Sequence, residues 1–132
     1  MTVFVDSNIF VVSLTDEPSR GEVATELLNR DLDFCTSILN LMEIRSVLTK
    51  KKRTEQEEVE DVLEDIYEEV DVYAPEVSDQ ITAYSLQRDS LLYTMDCVLL
   101  ALADDIDATF VTFDGELLDN GAVSPDELLD QI

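Results

Sequence analysis

The sequence predicts an α/β fold, a three-layer α/β/α arrangement with a parallel sheet between helices, and three observations carry that prediction. Val3, Phe4 and Val5 have no polar face, as expected of a central strand covered on both sides, and the run ends abruptly in Asp6, Ser7 and Asn8. Thr109 to Phe113 repeats the arrangement near the other terminus, running into Asp114 and then Gly115. Between these runs, short strand-like segments alternate with segments of helical period, the rhythm of a chain that crosses back over its sheet. In open α/β sheets ligands sit at the carboxyl ends of the strands. If the two runs are parallel neighbours, Asp6 and Asp114 therefore face one crevice, and two carboxylates there need a shared proton or a cation.

Taken in order, Ile9 to Leu14 starts a helix that stops before Pro18, and Ser19 is placed to cap a helix of about residues 20 to 30. Asp33 to Thr36 reads as a short strand, with Ser37 capping a helix from Ile38 to about Lys52. Leu39, Leu41, Met42, Ile44, Val47 and Leu48 spread around most of that helix, which predicts burial of more than one face, against the core and a partner. Glu43 lies inside this surround. It is either an acid that is paired or ligated, or a partly exposed Glu whose stem covers apolar neighbours. Thr54 is the expected cap of a helix from Glu55 to about Val70, with Val59, Val62, Leu63, Ile66 and Val70 as its apolar stripe. A strand over Asp71 to Ala74 ends at Pro75, and a helix from about Ser78 to Arg88 follows, with Tyr84 assigned to the core. Thr94 to Ala103 is a buried helix bearing Asp96 at its start, where Asp96 either caps the helix or, if Thr94 caps, points at the crevice. Asp104, Asp105 and Asp107 read as a polar turn. Thr112 is either a β-former or a hydroxyl supporting a neighbouring carboxylate, Gly115 permits a tight exit turn, and Ser124-Pro125 opens a last short helix.

The chain has 132 residues, enough for one domain, residues 1–132, with a core of its own. No apolar run reaches membrane-spanning length and no basic region precedes the N-terminal apolar stretch, so neither a membrane helix nor a signal peptide is expected and the protein is expected in the cytoplasm. Cys35 and Cys97 lie far apart and outside any metal or redox spacing, which predicts buried reduced thiols. There are 31 Asp and Glu against 8 Lys and Arg, a net charge of −23. Such a surface repels nucleic acid and itself unless salt screens it, and 45% hydrophobic residues in periodic blocks exclude a disordered acidic tail, so a halophilic protein is expected. With no histidine anywhere, histidine bases, Ser-His-Asp and Cys-His catalysis and histidine zinc sites are excluded. Any enzyme built here works with carboxylates and metal.

Asp6 in VDSN, Glu43 in SILNLMEI, Asp96 in MDCVLLALA and Asp114 in FVTFD have the order and approximate spacing of the four acids of PIN-domain nucleases. The chain especially resembles VapC-type toxin ribonucleases, over nearly its whole length and including the ending GAVSPDELL. The resemblance implies a parallel sheet of four or five strands with helices on both faces. It implies that Asp6, Glu43, Asp96 and Asp114 hold the metal, that Asn8 is an accessory polar group, and that Thr112 supports the acids. It further implies endonucleolytic RNA cleavage leaving 5′-phosphate ends, a cognate antitoxin as partner, and a homodimer. The family's usual surface is less acidic than this one.

The chemistry suits the residues apart from any family. Hydrolysing a phosphodiester needs an activated water and relief of charge on phosphate oxygens, and Mg²⁺ or Mn²⁺ held by hard carboxylate oxygens supplies both. A haloacid-dehalogenase-like phosphatase wants a second Asp where this chain has Asn8, together with a Lys, and the only lysines are Lys50, Lys51 and Lys52. A receiver domain wants an adjacent acidic pair at the first strand. A PIN-like module that binds RNA or protein without cutting is the non-enzymatic alternative. Arg45, Lys50, Lys51, Lys52 and Arg53 are five of the eight basic residues, gathered on one helix and its end. They read either as cations favouring the helix macrodipole or, as we favour, as contacts to substrate phosphate or an acidic partner, about 10 to 15 Å beyond Glu43 by helical rise.

Overall fold

The computed structural model describes residues 1–132. Strands β1 (Thr2–Val5), β2 (Asp33–Ser37), β3 (Asp71–Tyr73) and β4 (Thr109–Val111) form one sheet in the order β3-β2-β1-β4, every pair parallel. The expected PIN-like α/β/α architecture with four strands is present. Central β1 sets Phe4 opposite both Cys35 and Phe110, so its carboxyl end and that of β4 open on the same edge. Alternation along β1 sends Val3 and Val5 to one face and Phe4 to the other. The first face is covered by α1 (Ser7–Leu14), α2 (Arg20–Leu28), α3 (Ile38–Ser46), α4 (Gln56–Glu69) and α8 (Pro125–Gln131). The second is covered by α5 (Val77–Ser90), α6 (Thr94–Asp105) and α7 (Gly115–Leu118). Phe4 stacks on Phe110 with ring centroids 5.0 Å apart, and burying a side chain of that size contributes about 1.5–3 kcal/mol. No helix is long and apolar enough to cross a membrane.

Several local expectations are corrected by tertiary contacts. The first helix begins at Ser7 because Asp6 itself caps it, accepting the Ser7 N–H at 2.8 Å. Ser19 does not cap α2; it sits at φ 68° in a turn, with no side-chain cap bond. The residue that matters there is Gly21, where a Cβ would stand 2.8 Å from the Val12 carbonyl oxygen, so glycine is what lets α2 pack on α1. Thr54 likewise does not cap α4, whose N-cap is Glu55 without a side-chain bond. Ser37 does cap α3, accepting the Asn40 N–H, and Ser124 caps α8.

The helix expected to run to Lys52 changes at Val47 into a π-helical turn, Val47–Lys51. Of its apolar residues, Leu41, Ile44 and Leu48 are buried and Met42 is 64% exposed, so one face packs on the core and a second is left open. Tyr84 is not core. It is 51% exposed, while Ala83 and Asp79 are the buried members of α5. The strand expected over 109–113 stops at Val111, and on its edge away from β1 it makes a single parallel bridge to Val123, with the Thr112 N–H donating to the Val123 carbonyl. Gly115 makes no tight turn; it opens α7, and a Cβ there would meet nothing within 4 Å. Both cysteines are free and buried, and burial pushes the Cys35 thiol up to about 12, leaving it inert.

Candidate active site

Asp6 leaves the end of β1 only 7% exposed, and its backbone N–H still donates to Val111 O at 3.1 Å, holding it in line with β4. Its Oδ1 accepts from the Ser7 N–H at 2.8 Å and from Asn40 Nδ2 at 3.2 Å, and its Oδ2 accepts from the Thr112 hydroxyl at 2.7 Å. Thr112 is fully buried and is the hub of the edge. Having spent its proton on Asp6, its oxygen accepts from Asn8 Nδ2 at 3.1 Å and from the Asp114 N–H at 3.0 Å, which fills a hydroxyl's capacity. Asn8 completes the clasp by accepting the Phe113 N–H at 3.2 Å. The two acid-bearing strand ends are thus bonded to each other through Thr112 and Asn8. Of the two readings of Thr112, the supporting hydroxyl is the one the geometry contains.

The other acids converge on this point from separate elements. Asp96 lies in the first turn of α6 and is half-buried; the N-cap is Tyr93, and the Thr94 hydroxyl pairs with Gln87 instead of capping. Burial first, and then the charges of Asp6, Asp114 and Glu116, push the Asp96 carboxyl up to about 6. Asp6 is also raised, chiefly by burial, with Glu43 and Asp114 adding to it and the bonds from Thr112 and Ser7 opposing. Asp114 caps α7 by accepting the Glu116 N–H at 2.9 Å. Glu43 is exposed on α3, on the helix whose first turn touches Asp6 through Asn40. None of the three ion pairs, Arg20–Glu17, Arg30–Glu26 and Arg45–Glu60, includes one of these acids, and the Arg20 guanidinium stands 5.2 Å from the centre of the ring of Phe113, the residue before Asp114.

Whether a divalent ion suits these donors turns on their number and spacing. No three acids stand close enough together to clasp an ion as they lie. Mg²⁺ does not require that, because it keeps several waters and is commonly held directly by one or two carboxylates. Asp6 has three of its roughly four lone-pair positions taken, and the one remaining is on Oδ2. A buried Asp6 and half-buried Asp96 and Asp114 that repel one another, none of them in an ion pair, are a donor set that a hard cation would relieve.

Two participants were missed by sequence reasoning. Glu116 follows Asp114 by two residues, a spacing with no signal of its own. Asn40, three residues before Glu43 on the same helix, is fully buried, and a polar residue among Leu39, Leu41 and Met42 was a legible signal. The basic tract is not gathered at the acids. Arg45 is turned to α4, 3.4 Å from Glu60, and Lys50, Lys51, Lys52 and Arg53 are exposed with no ion-pair partner.

Comparison with known proteins gives one family and a set of folds. The PIN domain family matches residues 3–122. No curated protein sequence matches the chain. Among solved structures, a sarcin-ricin loop cleaving toxin, VapC20 of Mycobacterium tuberculosis, superposes with a TM-score of 0.77 at 19% identity, covering 92% of this chain and 96% of that one. A toxin-antitoxin complex from Klebsiella pneumoniae gives 0.72 at 18% identity, with 93% and 97% covered. VapBC2 from Rickettsia felis, bound to a DNA fragment from its promoter, gives 0.72 at 17% identity, with 94% and 97% covered. At these identities the likeness is one of fold.

Proposed function

The chain belongs to the PIN-domain family, and on that premise we propose that it is a metal-dependent endoribonuclease, the VapC-type toxin of a toxin–antitoxin pair. The observation that supports the reading is electrostatic: the charges of Glu43 and Asp114 act on Asp6, those of Asp6 and Asp114 act on Asp96, and none of the four acids is in an ion pair. Asp6 would hold Mg²⁺ or Mn²⁺ directly, beside Asp96 and Asp114, with Glu43 reaching the ion or one of its waters from the rim. A bound ion supplies a lowered water pKa and charge relief on the phosphate oxygens. The chain's own part is orientation: Thr112 and the Ser7 N–H hold the Asp6 carboxylate, and Thr112 with Asn8 fixes the turn that presents Asp114. Incubating structured RNA with the protein and Mn²⁺ at low and high salt should give internal cuts with 5′-phosphate ends, abolished by chelator. Intact RNA under all these conditions would leave the second reading, a PIN-like module that binds without cutting, which is favoured by the spacing of the acids.

An antitoxin partner is supported by the solved complexes of similar fold, and a chain of net charge −23 suits a partner with a basic segment. The same charge is why we read the protein as halophilic. A homodimer is supported by an open apolar groove of about 470 Å³ that Leu39 of α3, Val77 and Tyr84 of α5 and Met95 of α6 line together. Two such faces related by a two-fold axis would cover each other. Light scattering at high salt should give twice the chain mass, and a monomer at all concentrations would count against it.

For Lys50, Lys51, Lys52 and Arg53 we keep the contact to RNA phosphates, supported by their exposure and lack of partners on an otherwise acidic surface. Replacing all four by Gln should change unfolding by less than about 1 kcal/mol, weaken RNA binding, and flatten its salt dependence as fewer counterions are released. Unchanged affinity and salt slope with lowered stability would reduce the tract to a helix terminus. Arg45, paired with Glu60, is read here as tying α3 to α4.

A further inference from the structure

We propose that Asn40 is a positioning residue, tying the Asp6 carboxylate to the helix that carries Glu43 and so setting how the two acids meet a divalent ion. The proposal rests on the metal-dependent reading above. Asn40 is 0% exposed, and every polar atom it has is engaged. Its Oδ1 accepts from the Ser37 hydroxyl at 2.6 Å, and its backbone N–H donates to the same Ser37 oxygen at 3.2 Å. Its Nδ2 donates to Asp6 Oδ1 at 3.2 Å and to Ser7 Oγ at 2.9 Å. The amide orientation follows from chemistry, because a carboxylate only accepts and the reversed amide would set oxygen against oxygen.

A bland role exists, since Ser37 caps α3 and a buried Asn beside a cap satisfies it. Yet the cap engages only the Asn40 backbone N–H and Oδ1, while the amide nitrogen is aimed the other way, at the end of β1. Two consequences follow. With the Ser7 N–H and Asn40 both on Oδ1, the free lone pair of Asp6 is confined to Oδ2, the oxygen that Thr112 also holds. And because Asn40 and Glu43 are three residues apart on α3, about one helical turn, the bond to Asp6 fixes the register between the first acid and the second. The Thr36 hydroxyl, donating to Val5 O at 2.8 Å, braces the same junction one residue earlier.

The test is binding of Mn²⁺ alone, by calorimetry on the full chain without RNA, in wild type, Asn40→Ala and Asn40→Ser. Partners that orient a ligand usually cost ten- to a hundredfold in metal affinity when removed, so Asn40→Ala should weaken Mn²⁺ binding by about that factor. The Mn²⁺ concentration for half-maximal cleavage should rise equally, with KM for RNA unchanged at saturating Mn²⁺. Asn40→Ser fills the space better but its hydroxyl is too short to reach Asp6, so it decides the matter if Asn40→Ala fails to fold, and it should lose affinity in the same way. Wild-type Mn²⁺ affinity in a folded variant, with only its unfolding temperature lowered, overturns the inference and leaves Asn40 as packing. A wild-type chain that takes up no Mn²⁺ overturns the metal reading itself, and this inference with it.

Discussion

Asp6→Asn is expected to lower Mn²⁺-dependent RNA cleavage by at least about a hundredfold while the fold persists. Groups that only orient a ligand are worth ten- to a hundredfold, and loss of the ligand itself exceeds that. The fold should survive because Asn matches Asp in shape, and its oxygen can keep the bonds from the Ser7 N–H and Asn40 Nδ2. One bond is lost: an NH₂ group in place of Oδ2 meets a Thr112 oxygen already accepting from Asn8 and the Asp114 N–H, and the Thr112 proton is left without its acceptor. That loss, about 1 kcal/mol or more, is offset by removing a buried charge that Glu43 and Asp114 repel. Unfolding without metal should therefore stay level. Asp96→Asn and Asp114→Asn should lose cleavage similarly. Single-turnover rates beside metal-free thermal unfolding check this, and activity surviving all three substitutions would sink the assignment of the acids.

Without divalent metal, the protein should lose stability as pH rises from about 4 to about 6, and Asp96→Asn should remove part of that loss. The Asp96 carboxyl sits at about 6 when folded against an ordinary 3.8. Below pH 4 it is protonated in both states and contributes nothing. Between the two values the unfolded chain has released a proton that the folded chain retains, so stability falls, and above about 6 the loss is complete. Asp6, raised by burial, acts in the same direction. Allowing for the partial exposure of Asp96, the variant should exceed wild type by about 1–2 kcal/mol at pH 8 and match it near pH 4. Mn²⁺ at pH 8 should raise the wild-type unfolding temperature and raise that of the variant less. A difference that is flat with pH would mean that the acids do not strain one another, and a wild type indifferent to Mn²⁺ would mean that they hold no metal.

What the sequence determined by itself was the layer order and the strand ends. The unbroken apolar run Val3 to Val5 could only be a strand covered on both sides, and a carboxylate straight after it had to stand at the sheet's carboxyl edge, so Asp6 and Asp114 were legible as a pair. Asp96 was legible as an acid at a helix start, though its task was not. What only the tertiary structure decided were contacts between residues far apart in the chain. Thr112 bonds Asp6 across 106 positions and Asn8 across 104, and Asn40 reaches Asp6 across 34. Local pattern carries no information about such partners, because each is an ordinary polar residue until packing removes water and forces its hydrogen bonds to be met inside. The same reason explains the misread caps and Tyr84. Ser19 and Thr54 have the chemistry of a cap, but Ser19 makes no side-chain cap bond and Glu55 takes the N-cap position after Thr54, and Tyr84 has the period of a core residue yet lines an open groove where it stays 51% exposed.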